Sequence, residues 1–339
     1  MNETFLANSP VLWQEFKKVI DCSHSVLLVS HIRPDGDAIG SQIAFSNILE
    51  QYGKNVIIVN ADPVPPSLTF LDPDQKILHL DQLTKDQQER MNSVDLVASL
   101  DTSSWAQLGK MGDFFKTSSA NKIVLDHHVQ GDDLGATMFI DSSAEAAGTL
   151  VFQASKILNV PLSFSIAFPL FAAIATDTGW FRFHSATSQT YRMTAELIDS
   201  GVRPDDVYKL IYEQESLGRI RLTGFALQKT QPFLNQKGLW TSLTLDDFER
   251  ANALPFDSED IVNKLLQVAG TEVAVIMVEQ KTGGFKLSFR SRCELDCSRL
   301  AKRFGGGGHK KAAGAFLNDC YENVQKAILS ATKDEYERL

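Results

Sequence analysis

Lys122-Ile-Val-Leu-Asp-His-His128 is a short apolar run that stops at an acid and two imidazoles. Ile123, Val124 and Leu125 read as a strand buried on both faces, the pattern of a parallel sheet. Open parallel sheets bind ligands beyond the carboxyl ends of their strands, so Asp126, His127 and His128 fall where such a fold places chemistry. The tripeptide also suits a solvated loop, and its weight depends on the rest of the chain.

Working outward, the same arrangement recurs. Val26-Leu-Leu-Val29 is a compact strand followed by His31-Ile-Arg-Pro-Asp-Gly-Asp37, where Pro34 and Gly36 turn the backbone and bring His31, Asp35 and Asp37 into one space. A helix is expected from Ala38 to Gln51, closed by Gly53, with its N-terminus beside those acids. Val56 to Val59 is a second strand, and the run 95–100 ends in Asp101. Helices are expected over Pro10–Ile20, Glu145–Leu158, Ser163–Thr176, which leads into Asp177, and Thr187–Gly201. The fold class that follows is α/β, with an N-terminal Rossmann-like parallel sheet covered by helices on both faces.

A charged helical connector over Pro204–Leu227 marks the domain boundary. Beyond it a smaller C-terminal α/β domain is expected, with strands at 239–245 and 272–278, a helix at Ser258–Ala269, and a hairpin turning at Gly283-Gly284 into Phe285–Ser291. A helix over Asp296–Phe304 runs into Gly305-Gly-Gly-Gly308, and a terminal helix follows from Glu322. The predicted organisation is 1–187 as the metal-bearing domain, 188–228 as helical linker and 229–339 as substrate-binding domain.

The chain has 339 residues, 43% hydrophobic and 22% charged, enough for about two domains with ample core. No apolar run reaches the ~20 residues that span a bilayer, and residues 1–10 lack a basic region followed by an apolar one, so a cytoplasmic protein without membrane partners is expected. The four cysteines suit reduced thiols rather than a disulfide framework. A net charge of −9 argues against coating long nucleic acid, while leaving room for a short anion held locally.

His31, Asp35, Asp37, Asp101, Asp126, His127, His128 and Asp177 all end apolar elements. Any one such Asp also reads as a turn or helix cap. Their ordered recurrence favours a shared site, and carboxylate oxygens with imidazole nitrogens and no thiolate suit Mn²⁺ or Mg²⁺. So many ligands require two ions, an arrangement suited to phosphate-ester hydrolysis. The glycine run reads either as a flexible linker or, given His309-Lys310-Lys311 after it, as an anion nest. It is not a Walker loop.

The set His31-x-x-x-Asp35-x-Asp37, Asp101, Asp126-His127-His128 and Asp177 resembles the four motifs of the DHH phosphoesterase superfamily. Ser288-Phe-Arg-Ser291 and Gly305-Gly-Gly-Gly-His309 with Gly314 resemble the DHH-associated C-terminal domain. The resemblance implies that His31 and Asp35 hold one Mn²⁺, that Asp37, His127 and Asp177 hold the other, and that Asp101 bridges them. It implies that His128 faces the scissile phosphate. Asp126, read from the residues alone, is a structural acid that orients His127. Arg290, Gly306, Gly307, Gly308 and His309 would grip substrate phosphate. The implied activity is degradation of short oligoribonucleotides to mononucleotides, with dephosphorylation of 3′-phosphoadenosine-5′-phosphate. Short single strands or small nucleotide phosphates would be partners, not long duplex, and a homodimer is compatible. Alternatives are a cyclic-dinucleotide phosphodiesterase, an exopolyphosphatase-like enzyme, a RecJ-type exonuclease, and a non-catalytic nucleotide sensor. Trp180, where relatives carry a basic residue, and Lys310, where they carry proline, depart from the pattern. A base stacking on Trp180 is one expectation.

Overall fold

A computed structural model describes residues 12–129 and 131–339. The expected helix start at Pro10 and Val11 lies outside these residues. The chain divides into two compact units after Glu213.

The first unit runs α1 (Trp13–Cys22), β1 (Ser25–Val29), α2 (Gly36–Gln51), β2 (Asn55–Asn60), β3 (Ile77–His79), α3 (Lys85–Asn92) and β4 (Leu96–Leu100). It continues through α4 (Trp105–Leu108), α5 (Met111–Thr117), β5 (Asn121–Asp126), β6 (Thr137–Ile140), α6 (Ala147–Ile157), α7 (Phe164–Asp177), α8 (Ser188–Asp199) and α9 (Pro204–Tyr212). The six strands lie in the order β3-β2-β1-β4-β5-β6 and every pairing is parallel. This order reverses direction between β1 and β4, which pair directly with Val29 opposite Ser99. Such a switch point opens a crevice at the carboxyl edge.

Alternation along the strands separates two cores. Val26, Leu28, Ile58, Ala98, Ile123 and Leu125 pack with α1, α2, α6 and α7, while Leu27, Val29, Ile57, Val59, Val97 and Val124 pack with α3 and α5. Both faces are therefore covered, and each strand reads as one apolar run. Strands β3 and β6 were not expected from the sequence. They are short edge strands, and β3 follows the proline-rich loop.

Helices α2 and α7 meet through small residues. A Cβ on Gly40 would stand 2.4 Å from the Pro169 carbonyl oxygen and 3.0 Å from Ala173 Cβ. Pro169 lies inside α7, where its missing N–H leaves the Ser165 carbonyl without a helical donor. Asn47 Nδ2 of α2 donates to that carbonyl at 2.7 Å.

The second unit contains α10 (Leu217–Gln228), β7 (Gln231–Phe233), β8 (Gly238–Leu243), α11 (Leu245–Ala251), α12 (Ile261–Leu265), β9 (Val273–Glu279), β10 (Phe285–Ser291), α13 (Cys297–Lys302), β11 (Gly307–Gly308), β12 (Ala312–Leu317) and α14 (Tyr321–Tyr336). Its sheet has the order β11-β12-β10-β9-β8-β7. Only β8 and β9 pair in parallel. The β9–β10 hairpin turns at Gly283 and Gly284, with φ +89° and +69°, as expected of that pair.

Within residues 188–228, Met193, Leu197 and Val207 join the first core, whereas Leu222 and Ala226 join a core of the second unit. Two expected helices change. The expected helix at Pro204–Leu227 breaks before Ser216, whose hydroxyl caps α10 by accepting from Arg219 N at 2.9 Å. The helix expected over Ser258–Ala269 shrinks to Ile261–Leu265, because Asp260 takes a left-handed conformation (φ +66°) that ends the turn before it. The four cysteines are unpaired, as expected. Among the described residues no helix is long and apolar enough to cross a membrane.

The close α2–α7 contact gives a direct test. Gly40→Ala forces a methyl against a backbone carbonyl and is expected to destabilise the protein by about 1–3 kcal/mol. A lowered urea midpoint with unchanged slope reads this out, and an unchanged midpoint contradicts the packing.

Candidate metal centre

The site is assembled at the β1/β4 switch point. Ser30 Oγ donates to the Leu100 carbonyl at 2.8 Å, tying the two strand ends together. Beyond β1, the Asp35 carboxylate accepts from Asp37 N at 3.0 Å and Ala38 N at 3.1 Å, and so caps α2. Asp37 is 1% exposed. Its carboxylate accepts from Ala147 N at 2.7 Å, Gly148 N at 2.9 Å and Ser41 Oγ at 3.0 Å, which binds the start of α2 to the N-terminus of α6.

Asp101 follows β4 with φ +60°, in the left-handed region where Asp is one of the few tolerated residues. Its backbone N–H donates to the Leu125 carbonyl at 3.0 Å, and its side chain is buried between two imidazoles. Oδ2 stands 3.4 Å from His31 Nε2 and Oδ1 3.4 Å from His127 Nε2. Both rings are held from behind. His31 Nδ1 lies 2.9 Å from the Ile32 carbonyl and His127 Nδ1 lies 3.2 Å from that of Ala144. With Nδ1–H donating to those carbonyls, Nε2 of each ring faces the acids.

Asp177, the last residue of α7, places Oδ2 3.6 Å from His127 Nε2, and Asp37 Oδ2 is 3.8 Å from the same nitrogen. Asp35 Oδ1 is 3.8 Å from His31 Nε2. Three groups of candidate ligand atoms lie within 4.8 Å of one another: His31, Asp35 and Asp101; Asp37, His127 and Asp177; and Asp101, His127 and His128. Thus every residue expected to hold an ion converges here, with Asp101 reaching both imidazoles.

The electrostatics fit a cation site. Burial opposes charge on His31, but the neighbouring Asp101 and Asp35 carboxylates outweigh it and raise its pKa to about 10. Burial likewise opposes charge on His127, and Asp101 and Asp37 raise it to about 10. Burial pushes Asp177 up to about 6, partly countered by His127. Burial and the neighbouring Asp101 charge raise Asp37. Asp101 Oδ1 is buried with no hydrogen-bond partner, which leaves a lone pair facing the cluster. Hard oxygens, two imidazoles and no thiolate suit divalent cations of the Mg²⁺ and Mn²⁺ type.

A cavity of about 530 Å³ opens over the cluster. Its walls include Thr102, Ser103, Ser104, Gln107 and Asp132, and among the described residues no Lys or Arg lines it. Sequence reasoning missed these wall residues. Asp132 accepts from Trp105 N at 2.8 Å and Ser104 Oγ at 3.2 Å across a long stretch of chain, and no local pattern announces that contact. The Ala144 carbonyl and the α6 N–H groups act through backbone, which carries no residue-type signal.

Asp126 holds the backbone of His127 and, in addition, the ring of His128. Oδ1 accepts from His127 N at 2.8 Å and His128 N at 3.2 Å, and it faces His128 Nδ1 at 2.8 Å. It therefore supports the His128 ring, while the Ala144 carbonyl faces the ring of His127. Trp180 is half-buried and packs edge-on against Phe171, Tyr208 and Tyr212, with centroids 5.8, 5.0 and 5.7 Å away. It is not among the cavity-lining residues.

In the second unit, Arg290 Nη1 donates to the Phe289 carbonyl at 3.1 Å. Gly306 N–H is committed to the Ala301 carbonyl at 3.0 Å, so it is not a free donor for an anion. Gly307 and Gly308 pair with Gly314 and Ala313 as a short strand rather than an open nest. A Cβ on Gly306 would stand 2.1 Å from the Gly314 carbonyl oxygen, which explains that glycine by close approach. His309 is exposed, and Lys310 Nζ pairs with Glu294 at 2.7 Å.

Residues 25–174 match the model of the DHH family, N-terminal domain, and residues 248–337 match that of the DHHA1 domain. The chain is a DHH–DHHA1 protein. It is 29% identical to the bifunctional oligoribonuclease and PAP phosphatase NrnA of Thermus thermophilus, across 98% of both chains. The protein of that name from Bacillus subtilis is 28% identical across 89% of this chain and 92% of its own. The crystal structure of an exopolyphosphatase-related protein from Bacteroides fragilis superposes with a TM-score of 0.80 at 26% identity, covering 95% of each chain. The DHH match includes His31, Asp35, Asp37, Asp101, His127 and His128, and Asp177 follows just beyond it.

With pKa values raised to about 10, the His31 and His127 imidazoles carry protons at pH 7. A cation needs the Nε2 lone pair, so loading the DHH domain is expected to release protons, and Mn²⁺ affinity should rise from pH 6 to 9. Calorimetry in buffers of different ionisation enthalpy measures this release. Binding without proton release would contradict the arrangement.

Proposed function

We propose that this DHH–DHHA1 protein is a Mn²⁺-dependent phosphohydrolase. It degrades short oligoribonucleotides to mononucleotides and dephosphorylates 3′-phosphoadenosine-5′-phosphate in the cytoplasm. The observation that carries this reading is the pair of ligand groups, His31/Asp35/Asp101 and Asp37/His127/Asp177, at one sheet switch point. The printed activities of the NrnA relatives support it.

In this reading His31 and Asp35 hold one ion, Asp37, His127 and Asp177 the other, and Asp101 contributes to both. Bound divalent cations supply Lewis acidity and offset phosphate charge. Four carboxylates with neutral imidazoles carry about the charge that two such cations balance. A cavity walled by acids and lacking Lys or Arg would otherwise repel a phosphate ester. His128 meets the scissile phosphate. In the DHHA1 domain, Arg290 and His309 grip a substrate phosphate, with Gly307 and Gly308 alongside. The net charge of −9 disfavours long polyanions and suits substrates of a few nucleotides.

Purified protein with Mn²⁺ is expected to cleave di- to pentaribonucleotides and 3′-phosphoadenosine-5′-phosphate in preference to cyclic dinucleotides, polyphosphate or long RNA. Rapid cleavage of one of the latter with the short oligomers left intact would overturn the substrate assignment. Asp101→Ala should lower turnover by more than about a hundredfold and weaken Mn²⁺ binding in calorimetry.

A further inference from the structure

Two loops beside the ligand groups, one after β4 and one after β5, are tied into a single wall of the cavity. The Asp132 N–H donates to the Ser103 carbonyl at 2.7 Å. Asp132 Oδ2 accepts from Trp105 N at 2.8 Å and from Ser104 Oγ at 3.2 Å, and Trp105 Nε1 donates to the Asp133 carbonyl at 3.2 Å. Gly131 permits the close approach, since a Cβ there would stand 2.2 Å from Ser103 Oγ. The Asp132 carboxylate is therefore fixed before any ligand arrives.

These ties use one carboxylate oxygen only. Among the described residues Oδ1 of Asp132 has no hydrogen-bond or ion-pair partner. Asp132 lines the cavity together with His31, Asp101, His127 and Asp177, yet among the described residues it belongs to none of the groups of candidate ligand atoms. Tying the loops needs only an oxygen acceptor, which an amide supplies as well. A second, charged oxygen repels a phosphate ester at the neighbouring cluster unless it accepts a hydrogen bond from that ester. Its partner is then a donor on the substrate, within reach of a phosphate held by the cluster. On a ribonucleotide the nearest such donor is the 2′-hydroxyl, carried by the carbon next to the one that bears the esterified 3′ oxygen. Amino groups of the bases lie several bonds farther off and differ from base to base.

We infer that Asp132 Oδ1 accepts a hydrogen bond from the 2′-hydroxyl beside the scissile 3′-ester and makes this protein selective for ribose. This deepens the phosphohydrolase reading and rests on it. An internal RNA linkage and 3′-phosphoadenosine-5′-phosphate differ in the groups that flank the phosphate, but both carry that hydroxyl next to the 3′ oxygen. One fixed acceptor thus serves both substrates. Deoxyribonucleotides and polyphosphate offer it no donor there. A site built to accept from a hydroxyl also rejects an analogue lacking it, because the acid is then left unpaired beside the phosphate.

The test replaces one hydroxyl by fluorine, which keeps a polar substituent on the carbon but donates no hydrogen bond. Full-length protein with Mn²⁺ is given a diadenylate, the same molecule with 2′-fluorine on the ribose whose 3′ oxygen is esterified, and the same molecule with 2′-fluorine on the other ribose. The first fluorine is expected to lower kcat/KM by roughly 10–100-fold, the worth of one hydrogen bond to a charged acceptor, and the second by under about threefold. Asp132→Asn keeps an oxygen for Trp105 N but puts a neutral donor in place of the charged Oδ1. It should shrink the first contrast to under about threefold, through slower cleavage of the all-ribose molecule, with Mn²⁺ stoichiometry unchanged. A contrast that is absent from the wild-type protein, equal at the two riboses, or undiminished in Asp132→Asn would overturn the inference. Should Asp132→Asn fail to fold, the two wild-type contrasts still decide it. Wild-type protein inert toward all three molecules and toward 3′-phosphoadenosine-5′-phosphate would instead refute the underlying function.

Discussion

Mutual repulsion among buried carboxylates is the constraint on which the first unit is built. Candidate ligand oxygens of Asp37 and Asp177 lie within 4.8 Å of one another, and Asp101 stands 3.4 Å from imidazoles on both sides. At such a separation two like charges repel by about 3–4 kcal/mol at an effective dielectric of 20. Protonated imidazoles offset part of this, as the raised pKa values of His31 and His127 record. Divalent cations would offset it more fully, and the orphaned Asp101 Oδ1 points the same way.

The scaffold holds this cluster together by short, specific ties. Reversal of strand order at β1/β4 puts His31 and Asp101 at adjacent strand ends. Asp37 is fixed by the N–H groups that open α6, so one carboxylate both presents an oxygen to the site and joins two helices. Gly40 lets α2 approach α7, the helix whose last residue is Asp177. The acid from α7 therefore reaches the acid from α2 because side chains are small a turn or more below them. Packing and ligand geometry are here one problem, and a methyl group in the helix contact would disturb both.

Much of this was legible in residue order. The apolar runs Val26–Val29, Val56–Val59, Leu96–Leu100 and Ile123–Leu125 are strands because parallel burial on both faces demands continuous apolar residues. Acids and imidazoles after them mark the carboxyl edge. Edge strands β3 and β6 escaped notice, since three or four half-covered residues leave no such run. The glycine run read as an anion nest because glycine tolerance looks alike from sequence whether it serves an anion or close strand pairing. Its registry with Gly314 and Ala313 depends on β12, which the run itself does not encode.

By itself, the sequence determined the fold class and the acids and imidazoles that converge on one site, because strand periodicity and residue chemistry are local properties. Only the tertiary structure decided which partner each side chain takes. Asp126 faces His128 rather than the ring of His127, Ala144 reaches His127 through its carbonyl, and Trp180 packs into an aromatic cluster rather than lining the cavity. Those choices depend on ring orientation and on backbone groups brought from distant segments. Residue types alone do not specify them.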